Sequence, residues 1–342
     1  MTRTTQGKSR ASGRITLAAV AARAGVATMT ASRAISQPEL VSQALRDRVE
    51  QAVAELGYVP NRAARALAAG QSKVIVVLVP SLSNAVFTDV LAGIQDALDK
   101  DDYQILIGNT RYSDAEEEKL LGIYMQSNPD GILLSGLSHS KRVEQMLTTS
   151  RVPIVSMMDM SDDPARLTVG FSQHDAGVAM TRYLIDKGHK RIGFIGAQLD
   201  ERTLKRADGY RQAMQEAGLL DPKLEVMVPD PSTIALGAEL LGRMLAKAPD
   251  CTAVFCCNDD LAHGAIYQCQ RRGIAVPGQL AVCGFNDLPA SAWMNPSVTT
   301  VGTPRYRIGY EAASLLRAVI KGEQPANTQI DLGFTLMARE SA

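Results

Sequence analysis

Aromatic side chains are scarce in this chain of 342 residues, at 5%, while apolar types as a whole make up 46%. An interior with so few rings is one of Ala, Val, Leu and Ile, which suits helices and parallel strands. Long hydrophobic runs are missing as well. None reaches the ~18 residues that would span a bilayer, so no membrane partner is expected. The first fourteen residues, MTRTTQGKSRASGR, carry Arg3, Lys8, Arg10 and Arg14, and no apolar stretch separates them from the helical segment that follows. That excludes a secretory signal and reads as a flexible basic tail. Cysteine is limited to five residues, an odd number without an export signal, which points to reduced thiols in the cytoplasm. Cys256 and Cys257 lie in the apolar run AVFCC without the spaced His or Cys partners of a zinc site, so they read as small buried hydrophobes. Also lacking are a serine nucleophile elbow, a phosphate-binding glycine loop and any metal-ligand cluster. No cofactor is therefore expected. An enzyme acting on a sugar acid would have only Asp and Asn beyond strand ends for its acid–base work.

Net charge is absent too, but the zero hides an asymmetry. Residues 1–73 hold eleven Lys/Arg against four Asp/Glu, whereas the remainder holds 25 against 32. A basic head on an acidic body suggests a polyanionic partner for the head alone.

What is present begins with three helical signals. Thr16 can cap a helix from Leu17 to Ala24, with Leu17, Val20 and Ala24 on one face. Gly25 breaks it, and a second short helix runs from about Ala27 to Ile35. Ser42 can cap a third, with Leu45, Val49, Ala52, Val53 and Leu56 spaced on one stripe before Gly57. The run ITLAAVAARAGVATMTASRAI has the spacing of a helix-turn-helix: small Ala21 where the helices touch, then Gly25, tolerant of positive φ, in the turn. The second helix then exposes Thr28, Met29, Thr30, Ser32 and Arg33. Hydroxyls can reach phosphates, Arg33 can donate two bonds to guanine, and Met29 can touch a thymine methyl. After Pro60, NRAARALAAGQS is Ala-rich and too short to be a stable helix alone in water.

From Val74 the texture changes. Strand-like runs at 74–80, 104–109, 131–136, 153–158, 191–196, 225–229, 253–257, 281–285 and 298–302 alternate with amphipathic stretches. Near-continuous aliphatic strands separated by crossover helices mean parallel sheets covered on both faces. The pattern restarts near Arg191, after a helix over Gln173–Lys187, so two similar α/β lobes are expected, with ligand between them beyond the strand ends. A transport binding protein would share that body but not the basic head.

The run from Ile15 to Gln71 resembles the head of the lactose/galactose repressor family, in LxxVAxxAGV, the SR pair, ELGYVPNRAARAL and the GQS that follows. The resemblance extends over the rest of the chain, whose body is similar to the family's periplasmic-binding-protein-like core. It implies a fold with an N-terminal all-α helix-turn-helix domain and an α/β two-lobed domain with parallel sheets. The division is a tail at 1–14, the helix-turn-helix at 15–59, a hinge at 60–72 and the two-lobed effector-binding and dimerisation domain at 73–342. It further implies that Thr28, Met29 and Arg33 read bases, and that Arg62 to Ala69 form a hinge helix paired with its dimer mate in the minor groove. Leu67 falls where the family inserts a wedge. Thr16, Thr30, Ser32, Asn61 and Arg62 complete the DNA-contact candidates. One departure stands out: the family places Ser or Thr at the start of the recognition helix, where this chain has Ala27.

Within the family, VPSLSNAVFTDVLAGI, VGFSQHDAG, GAQLDERT, CNDDLAHGA, QCQRRG and IDLGFTL look most like the gluconate repressors. An acidic sugar needs a cation for its carboxylate and partners for its hydroxyls. Arg202 and Arg206, four apart just beyond a strand, can supply a bidentate clamp and a second charge, the alternative being a solvated basic helix start paired with Asp200 and Glu201. Asn84, Phe87, Asp159, Asn258 and Asn286 also follow strand ends, and the resemblance places contacts at Phe87, Arg206, Asn258 and Asn286. Asp259 and Asp287 also follow strand ends, as further cleft candidates or as no more than helix caps, and His139 either faces the ligand or is a simply exposed loop residue. The expected protein is a cytoplasmic repressor that binds a palindromic double-stranded operator as a homodimer. A small effector, gluconate or a related sugar acid, is expected to release it, the alternatives being another sugar, a sugar phosphate or a ketogluconate, and a corepressor mode. No leucine heptad follows the final DLGFTLM run to tether dimers.

Overall fold

A computed structural model describes residues 15–59 and 71–342. The basic tail and the hinge candidates Asn61, Arg62 and Leu67 lie outside the described residues. Contacts divide the chain into two compact units, Met1–Ser72 and Lys73–Ala342.

The first unit packs three helices: α1 (Leu17–Ala24), α2 (Thr28–Ser36) and α3 (Gln43–Leu56). Val20, Ala21, Ala24, Ala31, Ala34, Val49 and Ala52 form its buried core. Small residues dominate because α1 and α2 approach closely, and Gly25 supplies the left-handed φ of 65° that turns one into the other. Thr16 caps α1, its hydroxyl accepting from Ala19 N–H at 3.3 Å. Ser42 stands at the N-cap of α3, but its side chain makes no capping bond, so that expectation is corrected.

The second unit holds two six-stranded sheets. In chain order the strands are β1 (Val74–Val79), β2 (Gln104–Asn109), β3 (Gly131–Ser135), β4 (Ile154–Met157), β5 (Leu167–Gly170), β6 (Ile192–Ala197), β7 (Glu225–Val228), β8 (Ala253–Cys256), β9 (Ala281–Asn286), β10 (Thr299–Gly302), β11 (Gln329–Asp331) and β12 (Thr335–Met337). The first sheet has the order β11-β5-β4-β3-β1-β2 and the second β12-β10-β9-β8-β6-β7. Pairing is parallel except for β12, which runs antiparallel to β10. The central strands β1, β6, β8 and β9 are buried along their whole length, as strands covered on both faces must be.

The helices of this unit are α4 (Ala85–Leu98), α5 (Asp114–Tyr124), α6 (Lys141–Ser150), α7 (Gln173–Asp186), α8 (Glu201–Glu216), α9 (Ile234–Lys247), α10 (Asp259–Arg272) and α11 (Arg305–Ile320). The lobes are not two consecutive halves of sequence. The chain leaves the first sheet after β5, and α7 packs on α8 beside the second. It then returns after β10, where α11 packs on α4 and covers β3 to β5, and β11 extends the first sheet. Gly309 and Gly93 allow that helix contact, since a Cβ on Gly309 would overlap the Val90 carbonyl. A third crossing leads to β12. Phe171 and Phe334, from the first and third crossings, pack 6.3 Å apart, and Phe171 stacks on Phe285 at 6.2 Å.

Candidate functional site

Between the lobes of the second unit lies a cavity of about 480 Å³. Its walls come from residues just past the carboxyl ends of β1, β2, β6, β8 and β9, where open parallel sheets place their ligands. Asn84, Phe87, Arg202, Arg206, Asn258 and Asn286 all line it. Asp159 does not. It is 2% exposed and tied to Lys205 Nζ at 2.5 Å, a bond between the lobes that also orients α8. Burial raises its carboxyl pKa despite that partner.

Helix α8 carries the two arginines on one face, four residues apart. Arg202 is not a free cation. Asp200, the N-cap of α8, accepts from Arg202 Nε at 3.1 Å and Nη2 at 2.5 Å, while Arg202 Nη1 donates to Ser135 Oγ at 3.2 Å in the first lobe. Burial works to raise the Asp200 pKa, but the Arg202 charge and the Thr203 N–H outweigh it and hold the carboxyl below its usual range. Arg202 also sits over the Phe87 ring, 5.5 Å from its centroid.

Arg206 differs. Its Nε donates to Gln173 Oε1 at 2.8 Å and its Nη1 to the Cys257 carbonyl at 2.6 Å, and the guanidinium stacks on Phe285 at 3.8 Å. Among the described residues it forms no ion pair. Burial pushes its pKa down to about 10, so it remains charged at neutral pH, and the nearby Asp200, already paired with Arg202, attracts it only from beyond ion-pair distance. Around it, Asn84 Oδ1 accepts from Val86 N–H at 3.0 Å, and the Asn258 carboxamide exchanges bonds with Ser232 and accepts from Leu261 N–H. Asn286 adopts φ 108° at the end of β9. Ser81, Ser83, Ser232 and Thr233 add hydroxyls to the wall.

Sequence reasoning missed Arg111 and Tyr112, which line the cavity at positive φ of 53° and 55°. Their signal was available: they follow β2, whose carboxyl end, like that of β7 before Ser232 and Thr233, was left unsearched. Three other readings are corrected. His139 is partly buried rather than exposed, its side chain 5% exposed with Nδ1 3.1 Å from both Glu117 carboxylate oxygens. Asp259 is not a cap but reaches Leu288 N–H, Ser291 and Thr300. Asp287 instead pairs with Arg339 at 2.7 Å. All five cysteines are buried thiols, and burial lifts Cys251 and Cys269 to about 11. Among the described residues no cluster of three His, Cys, Asp or Glu can hold a metal, and no helix is long and apolar enough to cross a membrane.

In the first unit, Thr28, Met29 and Arg33 are exposed on α2, Met29 at 71%, while Thr30 and Ser32 are half-buried. Ala27 is the N-cap and makes no side-chain bond. Thr28 is inside the helix and does not take over that task, so its hydroxyl is not committed to capping. Thr16 is exposed, and its hydroxyl hydrogen is still available while the oxygen caps α1. Arg48, unnoticed in the sequence, locks the turn by donating to the Ala24 carbonyl at 2.5 Å and the Gly25 carbonyl at 3.3 Å.

A helix-turn-helix unit joined to a two-lobed body with a ligand-sized cleft defines a DNA-binding transcriptional regulator rather than an enzyme. Comparison with known proteins agrees. Residues 16–61 match the model of bacterial regulatory proteins of the lacI family, and residues 181–342 match a periplasmic binding protein-like domain. The HTH-type transcriptional regulator GntR of Pseudomonas aeruginosa is 47% identical over 332 residues, covering 97% of each chain. The crystal structure of transcription regulator GntR from Chromobacterium violaceum is 53% identical, with a TM-score of 0.77, over 78% of this chain and 98% of that one. A LacI-family regulator from Silicibacter pomeroyi superposes with a TM-score of 0.89 at 33% identity, over 96% and 99% of the two chains. The chain belongs to the lacI family of bacterial regulatory proteins.

Proposed function

We propose that the protein is a cytoplasmic repressor that binds a palindromic operator as a homodimer and releases it when gluconate, or a closely related sugar acid, fills the inter-lobe cavity. The observation that carries the effector class is Arg206: a buried guanidinium facing a polar cavity without a carboxylate partner. Such a charge is costly to keep desolvated, and an anionic ligand relieves the cost. A carboxylate on Arg206 satisfies it, and the neighbouring Asn and Ser groups suit a polyol chain. Thr28, Met29 and Arg33, with Thr16, Thr30 and Ser32, are assigned to DNA; Asn61, Arg62 and Leu67 are assigned to the hinge. An effector that binds one lobe arrangement better than another shifts the operator affinity by that difference.

A phosphorylated sugar acid is the second reading. It is favoured by Arg111, a further cavity-lining cation that forms no ion pair among the described residues. Titrating gluconate, ketogluconates and phosphogluconate into a fluorescence-anisotropy assay with operator DNA separates the two. Release at micromolar to low-millimolar gluconate supports the first reading. If no member of the panel changes operator affinity, the effector assignment is wrong.

A further inference from the structure

The first residue of α11, Arg305, stands where the chain crosses back from the second lobe to the first, and its side chain is 10% exposed. It grips both lobes. Nε donates at 2.8 Å to Asp89 Oδ2 on α4, two residues beyond the cavity-lining Phe87. Nη1 donates to the Asn286 carbonyl and, at 3.3 Å, to that of Asp287, which Nη2 also reaches at 3.4 Å.

Those carbonyls belong to two consecutive non-glycine residues at positive φ, 108° at Asn286 and 54° at Asp287. Backbone of this kind persists only where the surroundings over-determine it. The same turn sets Asn286, 6% exposed, in the cavity wall. Its other supports are the Thr303 hydroxyl, which donates to the Asn286 carbonyl at 3.3 Å, the Thr300 hydroxyl, which accepts from Asp287 N–H at 3.4 Å, and Arg339 on the Asp287 carboxylate. None of these reaches the first lobe. Arg305 does. A planar fork of five donors serves one carboxylate and two carbonyls from three separate nitrogens, whereas a lysine offers three donors on a single nitrogen at the end of a flexible stem.

We propose that Arg305 is a positioning residue of the effector site: it holds the Asn286–Asp287 turn in the form that presents Asn286 to the ligand and tethers that turn to α4 of the opposite lobe. The proposal rests on reading the cavity as the effector site and adds the group through which Asn286 senses the lobe arrangement.

Two measurements test it on the full-length protein. Hydrogen exchange, read by mass spectrometry without ligand, should rise at least threefold in peptides spanning residues 283–291 in both Arg305→Gln and Arg305→Lys, with peptides over β8 and α9 unchanged. Wild-type protection in that segment, or faster exchange throughout, overturns the proposal. The second measurement is a mutant cycle with gluconate by calorimetry. Arg305→Gln should weaken binding tenfold or more in the wild-type background. In an Asn286→Gly background, where glycine adopts the positive φ freely and the side chain is gone, it should weaken binding less than twofold further. Equal losses in both backgrounds mean a merely structural role. Arg206→Gln is the control: if it leaves gluconate binding intact, the cavity assignment fails, whereas the exchange result still decides what Arg305 does to the turn.

Discussion

Replacing Arg206 by Gln should separate binding from stability. Burial lowers the guanidinium pKa from its ordinary value to about 10, a difference equivalent to roughly 3 kcal/mol against the charged form in the ligand-free fold. The folded pKa lies below the unfolded one, so the folded protein binds this proton less tightly. The penalty therefore holds at every pH below about 10 and fades only above that, as pH rises towards the ordinary guanidinium value. Against it stand the stacking on Phe285, about 2 kcal/mol when desolvated, and the hydrogen bonds to Gln173 and Cys257. Gln removes the charge and these contacts together, so the ligand-free variant should lie within about 2 kcal/mol of wild type. Effector binding should not survive so well. Losing charge-assisted bonds to a carboxylate costs about 1.5–3 kcal/mol, a ten- to hundredfold weaker Kd. Calorimetry measures that directly, and thermal melting checks it. Gluconate at about 100 times the wild-type Kd stabilises by ~2.7 kcal/mol, which raises the Tm of the two-lobed unit by roughly 5–10 °C. The variant, then at only about 1–10 times its own Kd, should move by roughly 1–5 °C at the same concentration. Wild-type affinity in Arg206→Gln, or a ligand-free loss above about 4 kcal/mol, would refute the reasoning.

Three further outcomes are expected. Ala27→Ser restores the missing cap of α2 and should stabilise the helix-turn-helix unit by about 1 kcal/mol, seen as a rise of several degrees in its melting transition. Arg33→Ala should cost about 1–3 kcal/mol of operator affinity and relax preference at one base pair per half-site, measured by binding to a panel of singly substituted duplexes. Burial pushes the Asp259 pKa up to about 6 from 3.8, so the folded state keeps a proton that the unfolded chain has already lost. Its penalty is absent below about pH 4, grows between 4 and 6, and reaches roughly 3 kcal/mol above that. Denaturant midpoints at pH 4.5 and 7 should therefore converge in Asp259→Asn relative to wild type.

The sequence by itself determined the three-helix reader, both sheets' central strands and the pair of arginines. These are local patterns: a small residue and a glycine four apart, aliphatic runs buried on both faces, and two side chains one helical turn apart. It did not show β5, since Leu167–Gly170 is four residues with a Thr and a Gly among them and has no distinguishing period. Nor did it show that α11 and β11 return to the first lobe, because that depends on whether a helix near the end of the chain fits the face of α4. Partner choice was likewise tertiary. Asp159 was a ligand candidate and Arg202 either a clamp or a partner of Asp200; Lys205 and Asp200 neutralise them, which leaves Arg206 as the cavity cation on α8 without an ion pair among the described residues. Sequence fixes which groups can carry charge, while only packing decides which of those charges already have a partner.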